Sequence, residues 1–404
     1  MADGQVPDEG WMARAVALAE GGRGTASPNP MVGAVLVRNG RVVGEGFHRA
    51  AGLAHAEALA LAAAGELAAG ATCYVTLEPC AHHGRTPPCA DALVAAGVAR
   101  VVAAVADPDP RVGGAGLDRL RAAGVRVDIG AGAEAAAEQN AAYLTHRRLG
   151  RPRITLKAAA SLDGKVAAPD GTSQWITGPA ARADAHRLRA EADAVCVGAG
   201  TALADDPRLT VRLPGWSGRQ PLRVLVDAAG RVAATGHLFD GEAETLVATT
   251  PAAPAAAVDA WKAAGAEVLM CEEQTVTVGG GSGGALDAPP VGRAVDLEDL
   301  AKALGERGVL ELLVEGGPRL QASLWAAGLA DRLVWYLAPL AIGGQGAPGL
   351  LGAGAATLAD ARRLRLASVD RLGDDLRLVA YPRPTGGAES APPDPPNPSL
   401  TGGR

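Results

Sequence analysis

Two apolar runs, Met31 to Arg38 and Arg41 to Phe47, are separated only by Asn39-Gly40. Asn-Gly between two such runs predicts a two-residue β-hairpin. Before them, Met1 to Gly10 is polar, and Trp11 to Glu20 reads as a helix ended by Gly21-Gly22. After them, the Ala- and Leu-rich stretch Ala58 to Ala64 is a strong helix former with Gly65 and Gly70 as stops. Thr72 to Leu77 reads as a short buried strand, Ala90 to Ala96 as a helix and Arg100 to Ala106 as a strand. Leu117 to Ala123, Val125 to Ile129 and Ala133 to Leu149 continue as helix, strand, helix. This alternation predicts a three-layer α/β domain on a mixed sheet.

Gly150-Arg151-Pro152 marks a boundary, and the alternation resumes beyond it. Strands are expected at Arg153 to Ala159, Ala194 to Val197, Leu222 to Asp227, Thr245 to Ala248, Val268 to Cys271 and Leu310 to Val314. Three more follow at Leu333 to Ala338, Leu364 to Val369 and Leu376 to Tyr381. Ala180 to Glu191, Pro254 to Ala264, Leu297 to Glu306 and Leu320 to Ala327 read as helices, and Ser161 to Lys165 as a turn. The result is two α/β domains, 1–149 and 150–382, with a disordered Pro-, Gly- and Ser-rich tail over 383–404. Gly-rich Thr275 to Gly292 reads as a surface insertion without a role.

Composition narrows the partners. A chain of 404 residues exceeds what one core usually supports. A net charge of −6 and 3% aromatic residues argue against a nucleic-acid partner, which favours basic faces and stacking platforms. Five scattered cysteines make no disulfide framework, which fits a reducing cytosol. No apolar run of about twenty residues and no signal-peptide pattern are present. A cytoplasmic location with no membrane partner is the expectation.

Chemistry concentrates between His55 and Cys89. His55-Ala56-Glu57 is followed by Pro79-Cys80 and, after eight intervening residues, by Cys89. One His and two Cys suit zinc, and three protein ligands leave a fourth tetrahedral position for water. The metal lowers the pKa of that water toward neutrality. Glu57 is then free to carry protons, as in the zinc deaminase signature. Residues two apart on a regular helix point to nearly opposite faces, so His55 and Glu57 share a target only at a helix N-terminus. A structural zinc, with His82 or His83 as a fourth ligand, is the alternative. The spacing of Cys80 and Cys89 departs from the usual Pro-Cys-x-x-Cys. An insert inside a metal site is expected to shape substrate binding, with His82 and Arg85 as candidate contacts. Asn29, in the loop Ser27-Pro28-Asn29-Pro30, contacts a substrate ring or closes an Asx turn. Asp107-Pro108-Asp109-Pro110 lies at a strand end and reads equally well as a ligand loop or as plain turns.

The second half has no GxGxxG after a strand. It offers Val314-Glu315-Gly316-Gly317-Pro318, a strand end leading into a helix whose N-terminus suits phosphate. Val197-Gly198-Ala199-Gly200-Thr201 with Asp205-Asp206-Pro207, and Ser173-Gln174-Trp175-Ile176-Thr177, are two further clusters. The first also reads as a plain strand-to-helix turn, and the three clusters together suggest one shared cleft.

These segments, with Val32-Gly33, Thr76-Leu77-Glu78 and Ser161-Leu162-Asp163-Gly164, resemble the bifunctional deaminase–reductases of riboflavin biosynthesis over residues 10–381. The resemblance implies a cytidine-deaminase-like N-terminal domain and a dihydrofolate-reductase-like C-terminal domain. It implies one Zn2+ per chain on His55, Cys80 and Cys89, with Glu57 passing the proton to leaving ammonia from the 2-amino group of a phosphorylated diaminopyrimidine. NADPH would then reduce the ribosyl group to ribityl. Carried over by position, cofactor contacts fall at Ala159, Trp175, Thr201, Asp205, Ala228, Gly317, Pro318, Arg319, Leu320, Gln321, Ala322 and Ser323. Substrate contacts fall at Ser173, Arg189, Leu209, Arg212 and Glu315, with both arginines suited to phosphate. Ala228 stands where some members carry Ser. A homo-oligomer is expected. Two other readings make different predictions. An editing deaminase needs the basic, aromatic groove this chain lacks. A binding protein with structural zinc predicts that Glu57→Ala leaves function intact.

Overall fold

The computed structural model describes residues 6–81, 88–109, 113–276, 292–350 and 354–383. His82, Arg85, most of the Gly-rich insertion and the tail beyond 383 lie outside them.

The first half runs α1 (Asp8–Ala19), β1 (Gly33–Arg38), β2 (Arg41–Phe47), α2 (Ala56–Ala64), β3 (Thr72–Val75), α3 (Cys89–Ala95) and β4 (Arg100–Ala103). It ends with α4 (Ala115–Ala122), β5 (Arg126–Ile129), α5 (Ala133–Gln139) and α6 (Ala141–Leu149). The strands form one sheet of order β2-β1-β3-β4-β5. β1 is antiparallel to β2 and β3, while β3, β4 and β5 are parallel. Asn39 and Gly40 turn the hairpin with φ of 52° and 70°, the left-handed pair that a tight β-turn requires. Alternation along β1 builds the three layers. Ala34 and Leu36 pack with α2, α3 and α4, whereas Val35 and Val37 pack with Met12 and Ala15 of α1.

α2 lies unusually close to β2. A Cβ on Gly44 would stand 2.2 Å from the Ala60 carbonyl oxygen, and one on Gly46 would stand 2.5 Å from that of Ala56. Glycine on the strand and alanine on the helix make this approach possible. The approach fixes where α2 begins, and therefore where His55 sits.

The second half runs β6 (Arg153–Ser161), β7 (Lys165–Ala167), α7 (Pro179–Glu191), β8 (Ala194–Gly198), α8 (Ala199–Asp205), β9 (Leu222–Val226) and β10 (Thr245–Thr249). Then come α9 (Ala255–Ala263), β11 (Glu267–Met270), β12 (Glu273–Val276), β13 (Gly292–Val295), α10 (Leu297–Glu306), β14 (Glu311–Val314) and α11 (Pro318–Ala326). β15 (Arg332–Ala338), β16 (Ala347–Pro348), β17 (Leu364–Leu372) and β18 (Asp375–Pro382) complete it. The main sheet has the order β11-β10-β9-β8-β14-β6-β15-β18-β17 and is parallel from β11 to β15. The antiparallel ribbon β18-β17 closes one edge. Leu312 and Val314 of β14 pack on the side of α10 and α11, and Leu313 packs on the side of α7.

Several expectations need correction. Ala133 to Leu149 is two helices, because the buried Asn140 breaks the run. Its side chain accepts from Met31 N–H (2.8 Å) and donates to Met31 C=O (2.8 Å). α11 begins at Pro318, the first-turn position where proline's missing N–H costs nothing. The Gly-rich strand end at Val197 to Thr201 runs straight into α8, a helix not expected from the sequence. The ends of the Gly-rich insertion pair as β12 and β13.

The halves meet along the N-terminal ends of β6 and β14. Leu310 packs with Leu77, Tyr143 and Leu144, and His146 hydrogen-bonds the Gly305 carbonyl at 2.9 Å.

Candidate active sites

His55 is the N-cap residue of α2, with extended backbone at φ −72° and ψ 160°. That conformation releases its side chain from the helical register, so it and Glu57 can address one point. Cys80 follows the end of β3, and Cys89 opens α3. Nδ1 of His55 lies 3.6 Å from Cys80 Sγ and 3.3 Å from Cys89 Sγ, and all three donor atoms fall within 4.8 Å of one another. Zinc–sulfur bonds of about 2.3 Å and zinc–nitrogen bonds of about 2.0 Å place tetrahedral donors roughly 3.5 Å apart. Both His55-to-sulfur separations match this spacing, and the donor set of one imidazole and two thiols fits a zinc ion.

The electrostatics agree. A hydrogen bond from Cys89 and another from His55 bring the Cys80 thiol down to about 4, against the opposing effect of burial. The same contact with Cys80, together with burial, pushes the Cys89 thiol up. Two adjacent sulfurs cannot both ionise without a cation between them, and a divalent metal removes that conflict.

Glu57 is 4% exposed, and burial drives its carboxyl up to about 7. A carboxyl that exchanges its proton near neutrality is matched to general acid–base work. Asn29 donates through Nδ2 to His48 Nε2 at 3.0 Å, so its amide is engaged by a neighbouring ring rather than by its own turn. His48 is buried, donates from Nδ1 to the Ala54 carbonyl at 3.1 Å and meets the His55 ring edge-on at 5.5 Å. Burial lowers its pKa, which keeps Nε2 available as an acceptor. Sequence reasoning missed His48; the only signal was a polar ring just past the end of an expected strand. Asp107 accepts from Tyr143 Oη at 3.0 Å and from Asp109 N–H at 2.9 Å.

The second site gathers at the C-terminal ends of the parallel strands, where open α/β sheets bind ligands. Glu315 directly follows β14, with its side chain 7% exposed. Arg189 of α7 grips it with Nε and Nη2 and donates from Nη1 to the Thr210 carbonyl at 3.0 Å. Lys157 of β6 brings Nζ within 3.7 Å of Glu315 and 5.8 Å of the Tyr336 ring centre. Burial alone would raise the Glu315 carboxyl, but Arg189 and Lys157 outweigh it and hold the group at about 2. Burial lowers the pKa of Lys157. Lys157 was missed; its signal was a lone cation in the apolar run Ile154 to Ala160. Arg189 is thus committed to Glu315, whereas Arg212 is exposed and reaches only Thr210 Oγ1 at 3.3 Å. Its backbone N–H donates to His186 Nδ1 at 3.3 Å.

Of the expected cofactor residues, Thr201 and Gly317 are brought together. Gly317 caps α11 at φ 70°, and a Cβ there would stand 3.1 Å from Thr201 Oγ1. The free N–H groups at the start of this nine-residue helix suit a phosphate. Gln321 donates to the Lys157 carbonyl at 2.9 Å and leaves its own buried Oε1 without a partner. Such an orphaned acceptor, beside a free helix N-terminus, fits a cofactor that brings donors and a pyrophosphate. Pro318, Leu320, Ala322 and Ser323 are half-buried on the same turns, and Arg319 is exposed. Ala159 ends near the same edge on β6, and Ala228 is half-buried with its carbonyl accepting from Thr250 Oγ1 at 2.9 Å. Asp205, the last residue of α8, is exposed. Leu209 is buried with left-handed backbone, φ 53°. Ser173 is half-buried, and Trp175 lies on the surface under the Arg182 guanidinium at 4.6 Å.

Comparison with known proteins covers both halves. A family model described as the RibD C-terminal domain matches residues 152–378. Another, the cytidine and deoxycytidylate deaminase zinc-binding region, matches residues 6–105. The riboflavin biosynthesis protein RibD of Escherichia coli (strain K12) is 42% identical over 382 residues, covering 92% of this chain and 98% of its own. Its counterpart from Aquifex aeolicus is 40% identical over 91% of this chain and 97% of its own. The solved structure of Acinetobacter baumannii RibD superposes with a TM-score of 0.81 at 37% identity, covering 93% of this chain and 99% of that one.

Proposed function

The chain belongs to the RibD family, and from that premise we propose which of its residues carry each reaction. It is a bifunctional deaminase and reductase of riboflavin biosynthesis that uses zinc and NADPH. The deaminase converts 2,5-diamino-6-(5-phosphoribosylamino)pyrimidin-4(3H)-one to the corresponding uracil, and the reductase converts its ribosyl group to ribityl.

The observation that carries the assignment is the convergence of His55, Cys80 and Cys89 beside a buried Glu57. Zinc, when bound there, supplies Lewis-acid activation of water at neutral pH. His55, Cys80 and Cys89 hold it, and Glu57 moves a proton between the attacking water and the departing amine. Asn29, fixed by His48, orients the pyrimidine ring, and His82 and Arg85 of the insert are the further substrate contacts in this reading. NADPH, when bound, supplies a hydride. Thr201, Asp205, Ala159, Trp175, Ala228 and the run Gly317 to Ser323 orient it. Glu315 and Lys157 face the opened sugar, Arg189 keeps Glu315 in place, and Ser173, Leu209 and Arg212 bind the phosphorylated end. The proposed division falls at 149/150, with a separate tail from 383.

The proposed partner set is a phosphorylated pyrimidine, no nucleic acid and no membrane, in the cytoplasm. No helix among the described residues is long and apolar enough to cross a membrane. A homo-oligomer is favoured by the edge strand β17, which leaves Leu364, Leu366 and Val369 exposed. Light scattering of the purified chain checks this, and a monomer at micromolar concentration would overturn it.

The activity test is a mass spectrum after zinc-loaded protein meets the diaminopyrimidine and NADPH. Oxygen for an amino group adds about one mass unit, and hydride plus proton adds about two. A product about three units heavier is expected. A gain of about one would remove the reductase assignment, and no change would remove both.

A further inference from the structure

Cys80 is reached through Glu78, a carboxylate outside the metal site that is only 4% exposed. Its two oxygens accept four backbone N–H bonds. Oε2 takes those of Asp107 at 3.1 Å and Gly114 at 3.0 Å, and Oε1 those of Gly116 at 2.9 Å and Leu117 at 3.4 Å. Gly114 is the N-cap position of α4 and has no side chain with which to cap it. Glu78 therefore satisfies from a distance the donors that a local Asp or Ser would satisfy. Its negative charge also complements the positive end of the helix dipole.

The grip is mutual. A Cβ on Gly116 would stand 1.8 Å from the Pro79 carbonyl oxygen, so the first turn of α4 presses directly on the residue before Cys80. One turn along, Arg119 donates to the Ala81 carbonyl at 3.4 Å and pairs with Asp91. A single helix thus holds the chain immediately before Cys80, immediately after it, and again two residues beyond Cys89. α3 adds a second tie, with Ala90 N–H donating to the Cys80 carbonyl at 3.2 Å and Cys89 N–H to Cys80 Sγ at 3.4 Å; α4 braces that junction from both sides.

We propose that Glu78 is a positioning residue for the metal: through α4 it fixes the two sulfurs at zinc-binding separation. The proposal rests on the zinc reading of His55, Cys80 and Cys89. Neutralising Glu78 as Gln keeps its volume but turns an NH2 group toward backbone donors. Two of the four bonds are then lost, α4 is released and the Cys80 loop loosens. Supporting groups of this kind typically affect metal affinity or activity about 10- to 100-fold.

The experiment uses the full-length zinc-loaded protein and follows transfer of zinc to a chromophoric chelator. Wild type, Glu78→Gln, Glu78→Asp, Arg119→Ala and Asn140→Ala are compared, with reductase turnover recorded for each. Glu78→Gln is expected to release zinc about tenfold faster or more, with reductase turnover unchanged. Glu78→Asp, which keeps the charge on a shorter arm, falls between. Asn140→Ala weakens the same half away from α4 and leaves zinc release as in wild type. Release from Glu78→Gln within about twofold of wild type, or equal acceleration in Asn140→Ala, would overturn the proposal by showing no role or a merely structural one. Should Glu78→Gln fail to fold, the exposed Arg119→Ala decides: faster release supports the proposal and an unchanged rate removes it. A wild-type chain that holds no zinc, or holds it after Cys80→Ser, would instead refute the metal site itself.

Discussion

Arg189 and Glu315 form a two-pronged ion pair, with Nη2 to Oε2 at 2.9 Å and a second bond from Nε to Oε1, at the mouth of the reductase sheet. Both side chains are nearly buried, 13% and 7% exposed, and Lys157 adds a second cation at 3.7 Å. Planar guanidinium and planar carboxylate lock one another's orientation. Glu315 is therefore aimed before any substrate arrives.

Removing its charge should be expensive. Glu315→Gln leaves Arg189 and Lys157 buried without a counter-charge, and breaking such a pair typically costs about 3–5 kcal/mol. Urea unfolding at pH 7 should show a loss of that order. Reductase turnover should collapse while deamination persists. The acid limb gives a second check. The folded carboxyl sits at about 2, below its ordinary 4.5, so its contribution is complete above 4.5 and is lost as pH falls toward 2. The wild-type advantage over Glu315→Gln should therefore be flat above pH 4.5 and shrink below it. An advantage that disappears instead at alkaline pH would point to Lys157 as the group that matters.

Glu57→Gln separates metal binding from proton transfer. Glu57 is buried beside the three ligands but is not among them. The variant should keep its zinc, measured by metal analysis, and lose deamination by about 10²-fold or more. Reduction of the already deaminated intermediate should be unaffected. Retained deamination would show that another group carries the proton.

Asn140→Ala tests how the Asn29 loop is held. Asn140 bonds both the N–H and C=O of Met31, two residues beyond Asn29, and is 3% exposed. Alanine leaves both part-buried groups unpaired, at about 1–3 kcal/mol. The unfolding midpoint should fall, and the KM for the diaminopyrimidine should rise more than kcat falls. An unchanged KM would free Asn29 from any dependence on this anchor.

Metal chemistry was legible in the sequence because it restricts residue type. His55, Glu57, Cys80 and Cys89 have few other reasons to occur at that spacing, and the Ala-rich run beside them fixed His55 at a helix start. The Asn39-Gly40 hairpin was legible for the same reason, since few residues tolerate left-handed backbone. What escaped depends on tertiary partners. Asn140 interrupts a helix only because Met31 lies opposite. His48 and Lys157 acquire roles only from Asn29 and Glu315. Glu78 looked like part of the approach to Cys80, and its four donors come from 29 to 39 residues away. α8 was hidden by Gly200, whose low helix propensity is overridden by packing of Ala199 and Ala202 into the core.

Asp193 couples the two halves through one carboxylate that is 7% exposed. Oδ2 accepts the N–H groups of Leu310 (2.8 Å) and Glu311 (2.9 Å), where the chain enters β14. Oδ1 accepts from Ser27 Oγ at 2.5 Å and pairs with Arg219. Ser27 is two residues before Asn29, so a reductase residue anchors a deaminase loop. Asp193→Ala orphans two buried N–H groups and a hydroxyl, each worth about 1–3 kcal/mol. Ser27→Ala removes only the bond across the seam, about 1 kcal/mol. Urea unfolding should therefore show a much larger loss for Asp193→Ala than for Ser27→Ala. Both should raise the deaminase KM by a similar factor, because both release the same loop. If Ser27→Ala leaves that KM unchanged while Asp193→Ala raises it, the loop is held by the folded seam as a whole and not by this hydroxyl.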